Sequence, residues 1–355
     1  MTELLTAQLR PHSIVELVDQ GVRLYRRYFL KFTGMVAVAL LPILILQILS
    51  AVLSAASLLT QQFNDTLSPF ATMAMFGSFA AQTGSGLLTF FLINGVAAAV
   101  LTRAIADHYL GEPVGLWATF RKIGSQWIQL LIVLVLAYLF GLVLLVWFII
   151  PCIGWFTGGG MLMFYYAAVV PLLVPVVLLE RKQALTAVRR AWELARVRFW
   201  PILGLGLVLG LLQQAISIGP VMALAAVYFW ALSLAVTSNN SALLVAAPAV
   251  FQTIVLVFTT LLFVPVQMAT MMTLYFDLCV RGEGLDLALQ AQHAAGEAPV
   301  AEALTETPVA SGPWFRDHDW RNFLLVSLIF IGLMVGVIVL YVALLAGIGT
   351  GLSRL

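Results

Sequence analysis

Long stretches without a charged side chain recur along this 355-residue chain, and they constrain its fold more than any other feature. Several reach the length of about 18 residues that lets an α-helix cross the hydrocarbon of a bilayer. Because the runs are continuously apolar and do not alternate with polar residues, an outer-membrane β-barrel is excluded. Only 10% of the residues are charged, which is too few to cover the surface of a water-soluble domain.

The apolar runs predict an all-α, polytopic transmembrane bundle with seven spans. We place these spans at about 35–60, 70–101, 127–149, 160–179, 201–218, 242–277 and 322–349. The stretch 219–236 is also apolar, but a further crossing there would move Arg281 to the opposite side of the membrane. We therefore interpret it as an interfacial or half-inserted helix on the outer face, with Tyr228 and Trp230 at headgroup depth.

The distribution of basic residues predicts the orientation of the bundle. The segments 1–34, 102–126, 180–200 and 278–321 hold 17 of the 18 lysines and arginines, whereas the alternate connections hold none. By the positive-inside rule these four segments face the cytoplasm. The first six spans then form three hairpins that enter and leave from the cytoplasmic side, with the N-terminus inside. Cys152 and Cys279 fall on opposite faces, so no disulfide is expected between them.

Three of the basic segments precede their hairpins in the same way, with an amphipathic helix followed by an aromatic cluster. Offsets of 97 and 73 residues bring Leu30, Trp127 and Trp200 into register. The sequence therefore predicts three units, each an amphipathic helix plus a hairpin, with the seventh span added at the C-terminus.

The arginines of the first and third amphipathic segments are candidate contacts for anionic lipid headgroups. An amphipathic helix on the inner surface places its arginines at the phosphates and its aromatic face at the acyl boundary. The alternative is an elbow that only aims the next span. The candidates are Arg23, Arg26, Arg27, Arg189, Arg190, Arg196 and Arg198.

Four motifs in these segments resemble a bacterial family of polytopic proteins described as similar to the membrane domain of glycerophosphoryl diester phosphodiesterase. The motifs are LRPHSIVELVDQGVRLYRRYF at 9–29, TRAIADHYLGEPV at 102–114, RRAWELARVRFWPILG at 189–204 and YFDLCVRGEGLDL at 275–287. The resemblance implies a six-helix bundle in the bacterial cytoplasmic (inner) membrane. In the fused enzymes catalysis belongs to a separate soluble barrel, and no segment of this sequence is expected to form one.

The chain divides into three predicted parts. Residues 1–287 form the six-helix membrane domain, and 314–355 form the seventh helix. Between them, 288–313 is rich in Ala, Glu, Pro and Thr and lacks basic and aromatic residues, which is typical of a flexible tether. A tether of that length allows the seventh helix to pack on its own bundle or on a neighbour.

Carboxylates close to the second and sixth spans are the candidates for a polar rim on the cytoplasmic side. Pairs of carboxylates can act as acid and base, but Arg103 and Arg281 are near enough in sequence to form ion pairs with them. We therefore expect a structural role. The candidates are Asp107, Glu112, Asp277 and Glu283.

No other pattern in the sequence indicates catalysis. The four histidines lack a metal-ligand spacing such as His-Glu-x-x-His, and the cluster at 316–319 is interpreted as a juxtamembrane anchor beside Trp314 and Trp320. We predict no catalytic, cofactor-binding or metal-binding residue and no cofactor.

Amides and prolines are the main polar and helix-kinking features within the spans. A transport path lined by these amides is one alternative, and hydrogen bonds between helices are the other. The amides are Gln47, Gln82, Asn94, Gln129, Gln213, Gln214, Gln252 and Gln267. Gly206 with Gly210 and Gly332 with Gly336 have the spacing of close helix packing, either within the chain or in a dimer.

The leading hypothesis is a non-enzymatic membrane scaffold or accessory protein linked to lipid or cell-envelope processes. The alternative is a transporter or flippase-like protein for a lipid or small solute, and a third hypothesis is an enzyme that works at the polar rim. Expected partners are anionic membrane lipids at the cytoplasmic face, and a second copy or another membrane protein. A nucleic-acid partner is not expected.

Overall fold

The chain is helical throughout the described part of the computed structural model, which comprises residues 12–63, 69–109, 115–237, 241–285, 313–314 and 316–352. Two continuous helical segments, 69–109 and 153–179, each contain a π-helical turn, at Leu92–Ala97 and Leu162–Ala167 respectively. The α-helices are α1 (Ile14–Arg27), α2 (Phe29–Phe63), α3 (Pro69–Phe91), α4 (Ala98–Tyr109), α5 (Leu116–Ile123), α6 (Gln126–Trp147), α7 (Ile153–Met161), α8 (Ala168–Leu179), α9 (Ala184–Val197), α10 (Phe199–Thr237), α11 (Ser241–Glu283) and α12 (Asp317–Leu352).

Within the described ranges, seven helical segments are long and apolar enough to cross a membrane, and they correspond in order to the seven predicted spans. The segments are Phe29–Leu49, Thr83–His108, Gln126–Trp147, Ile153–Leu179, Phe199–Leu234, Val250–Glu283 and Asp317–Ala343. The predicted fold class, an all-α transmembrane bundle, is confirmed. The chain is a multi-pass membrane protein.

The prediction of a separate interfacial helix at 219–236 is wrong. These residues continue α10, which runs unbroken for 39 residues and contains Pro220. Proline removes one backbone hydrogen bond, but the apolar residues around it offer no other partner for the backbone groups of a broken helix. Continuing the helix satisfies those groups, so Gly219 and Pro220 do not end it.

The first six spans form three hairpins, each with an outgoing and a returning helix. The outgoing helices are α2, α6 and α10, and the returning helices are α3 with α4, α7 with α8, and α11. The C-terminal parts of the three returning helices pack against one another at the centre of the bundle. These parts are α4, α8 and the second half of α11. Residues 172–180 and 269–280 are buried without interruption.

The three hairpins are arranged in a cyclic order. Each outgoing helix packs on its own returning helix and on that of another hairpin: α2 contacts α11, α6 contacts the π-helical turn Leu92–Ala97, and α10 contacts α8. The amphipathic helices follow the same rule, because α5 packs on α4, α9 on α8 and α1 on α11. The predicted repetition of an amphipathic helix plus a hairpin is therefore a real feature of the packing. We call the end of the bundle that carries α1, α5 and α9 the charged end.

Helix α1 runs antiparallel along the last turns of α11. The Thr273 hydroxyl donates to the Leu17 carbonyl, and Gly21 lies so close to Thr270 that a Cβ on the glycine would be 3.0 Å from the Thr270 Cα. Leu17, Gly21 and Leu24 are buried. The apolar face of α1 thus packs on protein and not at an acyl boundary, which corrects the interpretation of this helix as lying on the lipid. The elbow interpretation agrees with the packing.

The seventh helix, α12, packs on its own bundle against α7. Gly159 and Gly160 make this close approach, since a Cβ on either would collide with Phe330 or with the Ser327 hydroxyl. By contrast, the glycine pairs that the spacing rule selected are exposed and have no heavy atom near the position of an added Cβ; they are Gly206, Gly210, Gly332 and Gly336. The tether at 288–313 lies outside the described residues except for Pro313.

Candidate functional site

Each of the three returning helices carries a buried carboxylate at its charged end. Asp107 is in the last turn of α4, Glu180 follows α8, and Asp277 is in the penultimate turn of α11. Their exposed fractions are 1%, 2% and 2%. A buried carboxylate is stable only when it is paired or fully hydrogen-bonded. The positions correspond in the three hairpins, so the repeat unit includes this acidic residue.

Asp277 joins the start of α1, the junction of α9 and α10, and α11. Its Oδ1 accepts from the His12 backbone N–H at 2.7 Å, and Arg281 Nε lies 3.1 Å from Oδ1 and 3.0 Å from Oδ2. Arg198 Nη1 donates to Oδ2 at 3.3 Å. Both arginines also donate to the His12 carbonyl. One carboxylate therefore organises two guanidinium groups and the backbone of His12.

Glu180 joins α8, α9 and α11. Arg190 Nε lies 2.9 Å from Oε2 and 3.1 Å from Oε1, and the Tyr275 hydroxyl donates to Oε1 at 2.9 Å. The Arg190 guanidinium also pairs with Glu283. Burial alone lowers the pKa of Arg190, but the hydrogen bonds and negative charges of Glu283 and Glu180 outweigh this and raise the pKa above its ordinary value. Arg190 therefore remains charged although it is buried.

Asp107 joins α4 and α5. Arg103 Nε lies 3.1 Å from Oδ1, one turn earlier on the same helix, and Lys122 Nζ lies 3.1 Å from Oδ2. The lysine is on the amphipathic helix that packs on α4. The same relationship holds in the other two units, where Arg190 of α9 and His12 before α1 bind the carboxylates. Each carboxylate thus fastens an amphipathic helix to the returning helix on which it packs.

The predicted polar rim is distributed among these separate clusters and does not form one site. Asp107 pairs with Arg103 and Lys122, whereas Asp277 pairs with Arg198 and Arg281, so the two acids share no basic partner in these ion pairs. Glu283 shares Arg190 with Glu180, and Glu112 lies outside the described residues. The expected ion pairs with Arg103 and Arg281 are present. Among the described residues, no group of three His, Cys, Asp or Glu side chains is placed to hold a metal ion.

The predicted lipid contacts separate into two groups. In the first amphipathic helix, Arg23, Arg26 and Arg27 are exposed, and Arg23 pairs with Asp19 on the preceding turn. In the third, the arginines bind protein groups: Arg190 is buried between two carboxylates, and Arg198 binds Asp277. Arg189 pairs with Glu193, and Arg196 pairs with Asp319.

A second set of contacts fastens α12 to α9 at the charged end. Arg196 pairs with Asp319 at 2.6 Å, and the Trp192 indole N–H donates to the Trp314 carbonyl at 2.8 Å. Arg189 lies over the Trp314 ring, 5.7 Å from its centroid. The cluster at 316–319 was expected to anchor the chain at the membrane edge, and its Asp319 binds α9.

The amides within the spans do not converge on one path in the described part of the bundle. Gln213, Gln214 and Gln252 are exposed on the outside of α10 and α11. Gln129 accepts from the Ala184 backbone N–H at 3.1 Å, and Asn94 donates to the Phe90 carbonyl at 3.2 Å, so both serve local structure. The side chain of Gln82 lies outside the described residues, while Gln47 and Gln267 are half-buried.

Sequence reasoning missed Glu180, Tyr275 and the role of Asp319. Glu180 was overlooked because it stands alone after an apolar run, without a second acid beside it. Its position was nevertheless a usable signal, since Asp107 and Asp277 also end a returning span. Nothing in the sequence indicated Tyr275 as its partner. No family model, curated protein or solved structure matches this chain.

Proposed function

We propose that this protein is a non-enzymatic scaffold or accessory protein of the bacterial cytoplasmic membrane, linked to lipid or cell-envelope processes. The observation that carries the proposal is the use of the buried carboxylates. Asp107, Glu180 and Asp277 are all bound by basic or hydroxyl groups that hold neighbouring helices together. Acidic groups fixed in this way give a rigid end to the bundle and are not poised for proton transfer.

The charged end is the cytoplasmic end in this proposal. Its exposed arginines, Arg23, Arg26 and Arg27, lie beside the start of the first span and are suited to anionic headgroups. The resemblance to a bacterial family of polytopic membrane proteins supports the same placement. The scaffold would then offer a fixed cytoplasmic surface, built from α1, α5 and α9, to lipids and to a partner protein.

A transporter is the second candidate, and the two π-helical turns favour it. They occupy corresponding places in the returning helices of the first two hairpins, and Pro171 and Pro175 follow the second turn in α8. Single π-helical turns inside α-helices are often found at functional sites, and proline allows helices to bend. This candidate predicts movement of a lipid or solute across the membrane.

Reconstitution separates the two candidates. Purified protein in phospholipid vesicles should leave the rate of labelled-lipid exchange between leaflets, and of solute release, at the level of protein-free vesicles. A rate that rises in proportion to the protein content, and that falls when Pro171 and Pro175 are changed to alanine, would instead establish transport. The matched control is Pro42→Ala, which changes a proline of α2 outside the returning helices.

The enzyme hypothesis has its own assay. Turnover of phosphodiester lipids by the purified protein should not exceed the background of the detergent or vesicle preparation. Turnover that disappears in Asp277→Asn and persists in Asp19→Asn would overturn the proposal, because Asp19 is an exposed acid of α1 away from the buried clusters.

A scaffold also requires a partner, and that is the positive test. Crosslinking in native membranes, followed by purification of the tagged chain, should recover one membrane protein at constant stoichiometry. Recovery of the chain alone, from membranes in which a known complex is captured intact, would count against the scaffold.

A further inference from the structure

At the charged end, Tyr28 contacts His108 and so joins the start of the first span to the end of the second. Tyr28 follows α1, immediately before the first span begins at Phe29, and His108 is the last residue of the second span. The Tyr28 hydroxyl and His108 Nδ1 are 3.1 Å apart, and their rings pack edge to face. The contact therefore lies where two spans leave the hydrocarbon, at the depth of lipid headgroups.

Two cations flank the Tyr28 ring. The Arg27 guanidinium carbon is 5.7 Å from the ring centroid and Lys31 Nζ is 5.8 Å from it, and both residues are exposed. A single ring thus gathers two positive charges through cation–π contacts, which are favourable within about 6 Å. Arg26, next to Arg27 in the sequence, is a third exposed cation.

Two acids close to this contact in sequence have basic partners of their own. Asp107 precedes His108 but is bound by Arg103 and Lys122, and Asp19 of α1 pairs with Arg23. Across the described residues, no ion pair links a carboxylate to Arg26 or Arg27. Arg26, Arg27 and Lys31 therefore place three cationic side chains close together at this point of the charged end.

An apolar surface lies directly beside these cations. Phe29 and Leu30, in the first turn of α2, are 40% and 82% exposed. Because they begin a membrane span, their exposed faces point to lipid and not to a soluble ligand. A ligand that satisfies both surfaces carries a negative phosphate next to an acyl chain.

The geometry points to a binding site for an anionic glycerophospholipid. Arg27 and Lys31 bind the phosphate oxygens, Tyr28 holds the two cations in place through its ring, and Phe29 and Leu30 contact the glycerol end of an acyl chain. This inference rests on the proposed function, because it names the lipid class that the cytoplasmic end of the scaffold would hold.

The test measures binding of phosphatidylglycerol relative to phosphatidylcholine. Native mass spectrometry of the full chain, in micelles doped with either lipid, gives the affinity ratio. Arg27→Gln with Lys31→Gln should lower that ratio by about fivefold for each cation removed, since a basic residue near the headgroups contributes about 1 kcal/mol. The charge-conserving variant Arg27→Lys with Lys31→Arg should keep the affinity ratio of the unchanged protein, which would show that the loss follows the charge and not the substitution of these positions.

The matched control removes the same charge elsewhere at this end of the bundle. Arg121→Gln with Arg181→Gln changes two exposed cations of other segments and should leave the ratio unchanged. An equal loss in the two double variants would show that diffuse surface charge, and not a site, attracts the lipid. No loss in either would also overturn the inference.

Two further arms distinguish a lipid from a soluble phosphate compound. Leu30→Gln should weaken phosphatidylglycerol binding, and glycerol 3-phosphate should not displace the lipid. Displacement by glycerol 3-phosphate, together with no effect of Leu30→Gln, would assign the site to a soluble anion. A negative result in these binding experiments would contradict the lipid site but not the proposed scaffold. The scaffold proposal is contradicted by transport in vesicles, which is a separate measurement.

Discussion

The backbone N–H of His12 donates to the carboxylate of Asp277 at 2.7 Å, across 265 residues of sequence. This bond fastens the beginning of the first amphipathic helix to the end of the third hairpin. It completes the cyclic order of the bundle, because the other two amphipathic helices are fastened to the hairpins that precede them. The charged end is therefore a closed ring of contacts and not a row of separate elbows.

Replacing Asp277 should destabilise the protein strongly. Asp277→Asn removes the charge that neutralises Arg198 and Arg281 and should cost about 3 kcal/mol, as expected for a buried pair that loses one partner. Unfolding by sodium dodecyl sulfate in mixed micelles measures the change. Asp19→Asn, which removes an exposed ion pair of α1, should cost under about 1 kcal/mol. Equal losses of stability in the two variants would show that the buried ion pairs of Asp277 stabilise the protein no more than an exposed pair does.

The docking of α12 should depend on Gly160 and not on Gly210. A Cβ at Gly160 would collide with Ser327 and lie 2.8 Å from Phe323, whereas nothing surrounds Gly210. Gly160→Ala should therefore lower stability by about 1 to 3 kcal/mol, because overpacking forces neighbouring groups to move. Gly210→Ala should be neutral or slightly stabilising in the same unfolding assay. A destabilised Gly210→Ala would mean that this outer face is covered, for example by a second copy.

Arg196 and Asp319 should be energetically coupled. Arg196→Gln and Asp319→Asn each break the pair that joins α9 to α12, so the double variant should cost less than the sum of the two. A double-mutant cycle in the unfolding assay should give a coupling of about 0.5 to 3 kcal/mol. Arg196→Gln combined with Asp19→Asn provides the control and should be additive. Additivity in both cycles would indicate that the Arg196–Asp319 pair does not fasten α12.

Labelling of the exposed Cys152 reports the orientation of the bundle. Cys152 is exposed in the turn between α6 and α7, and Cys279 is buried at the charged end of α11. A membrane-impermeant maleimide should label Cys152 in intact cells and Cys279 only after denaturation. Cys152→Ser removes the outside label, and adding Arg121→Cys should restore labelling only in inside-out vesicles. The reverse pattern would invert the proposed topology.

Local spacing predicted some of the charged contacts correctly. Asp107 pairs with Arg103 and Asp277 with Arg281, and in both cases the partner is one helical turn away, a distance that the sequence displays directly. The bonds from Tyr275 to Glu180 and from Arg198 to Asp277 bring together residues 95 and 79 positions apart. No local pattern states which helix ends meet, so these contacts could not be predicted.

Glycine spacing also failed to predict which helices pack closely. Gly206 with Gly210 matches the pattern of close packing, yet both are exposed, while Gly159 and Gly160 carry the contact with α12. A small residue permits a close approach, but only the position of a neighbouring helix decides whether the approach occurs.

The sequence by itself determined that this chain is a helical, multi-pass membrane protein and that amphipathic segments precede three hairpins. Those conclusions depend on transfer free energies and periodicities, which each segment carries along its own length. Only the tertiary structure decided that α10 continues through Pro220, that α1 packs on α11, and that Glu180 and Asp277 find their partners on distant segments. A buried charge is stabilised by whatever group the neighbouring helix supplies, and that neighbour is set by the packing of the whole bundle.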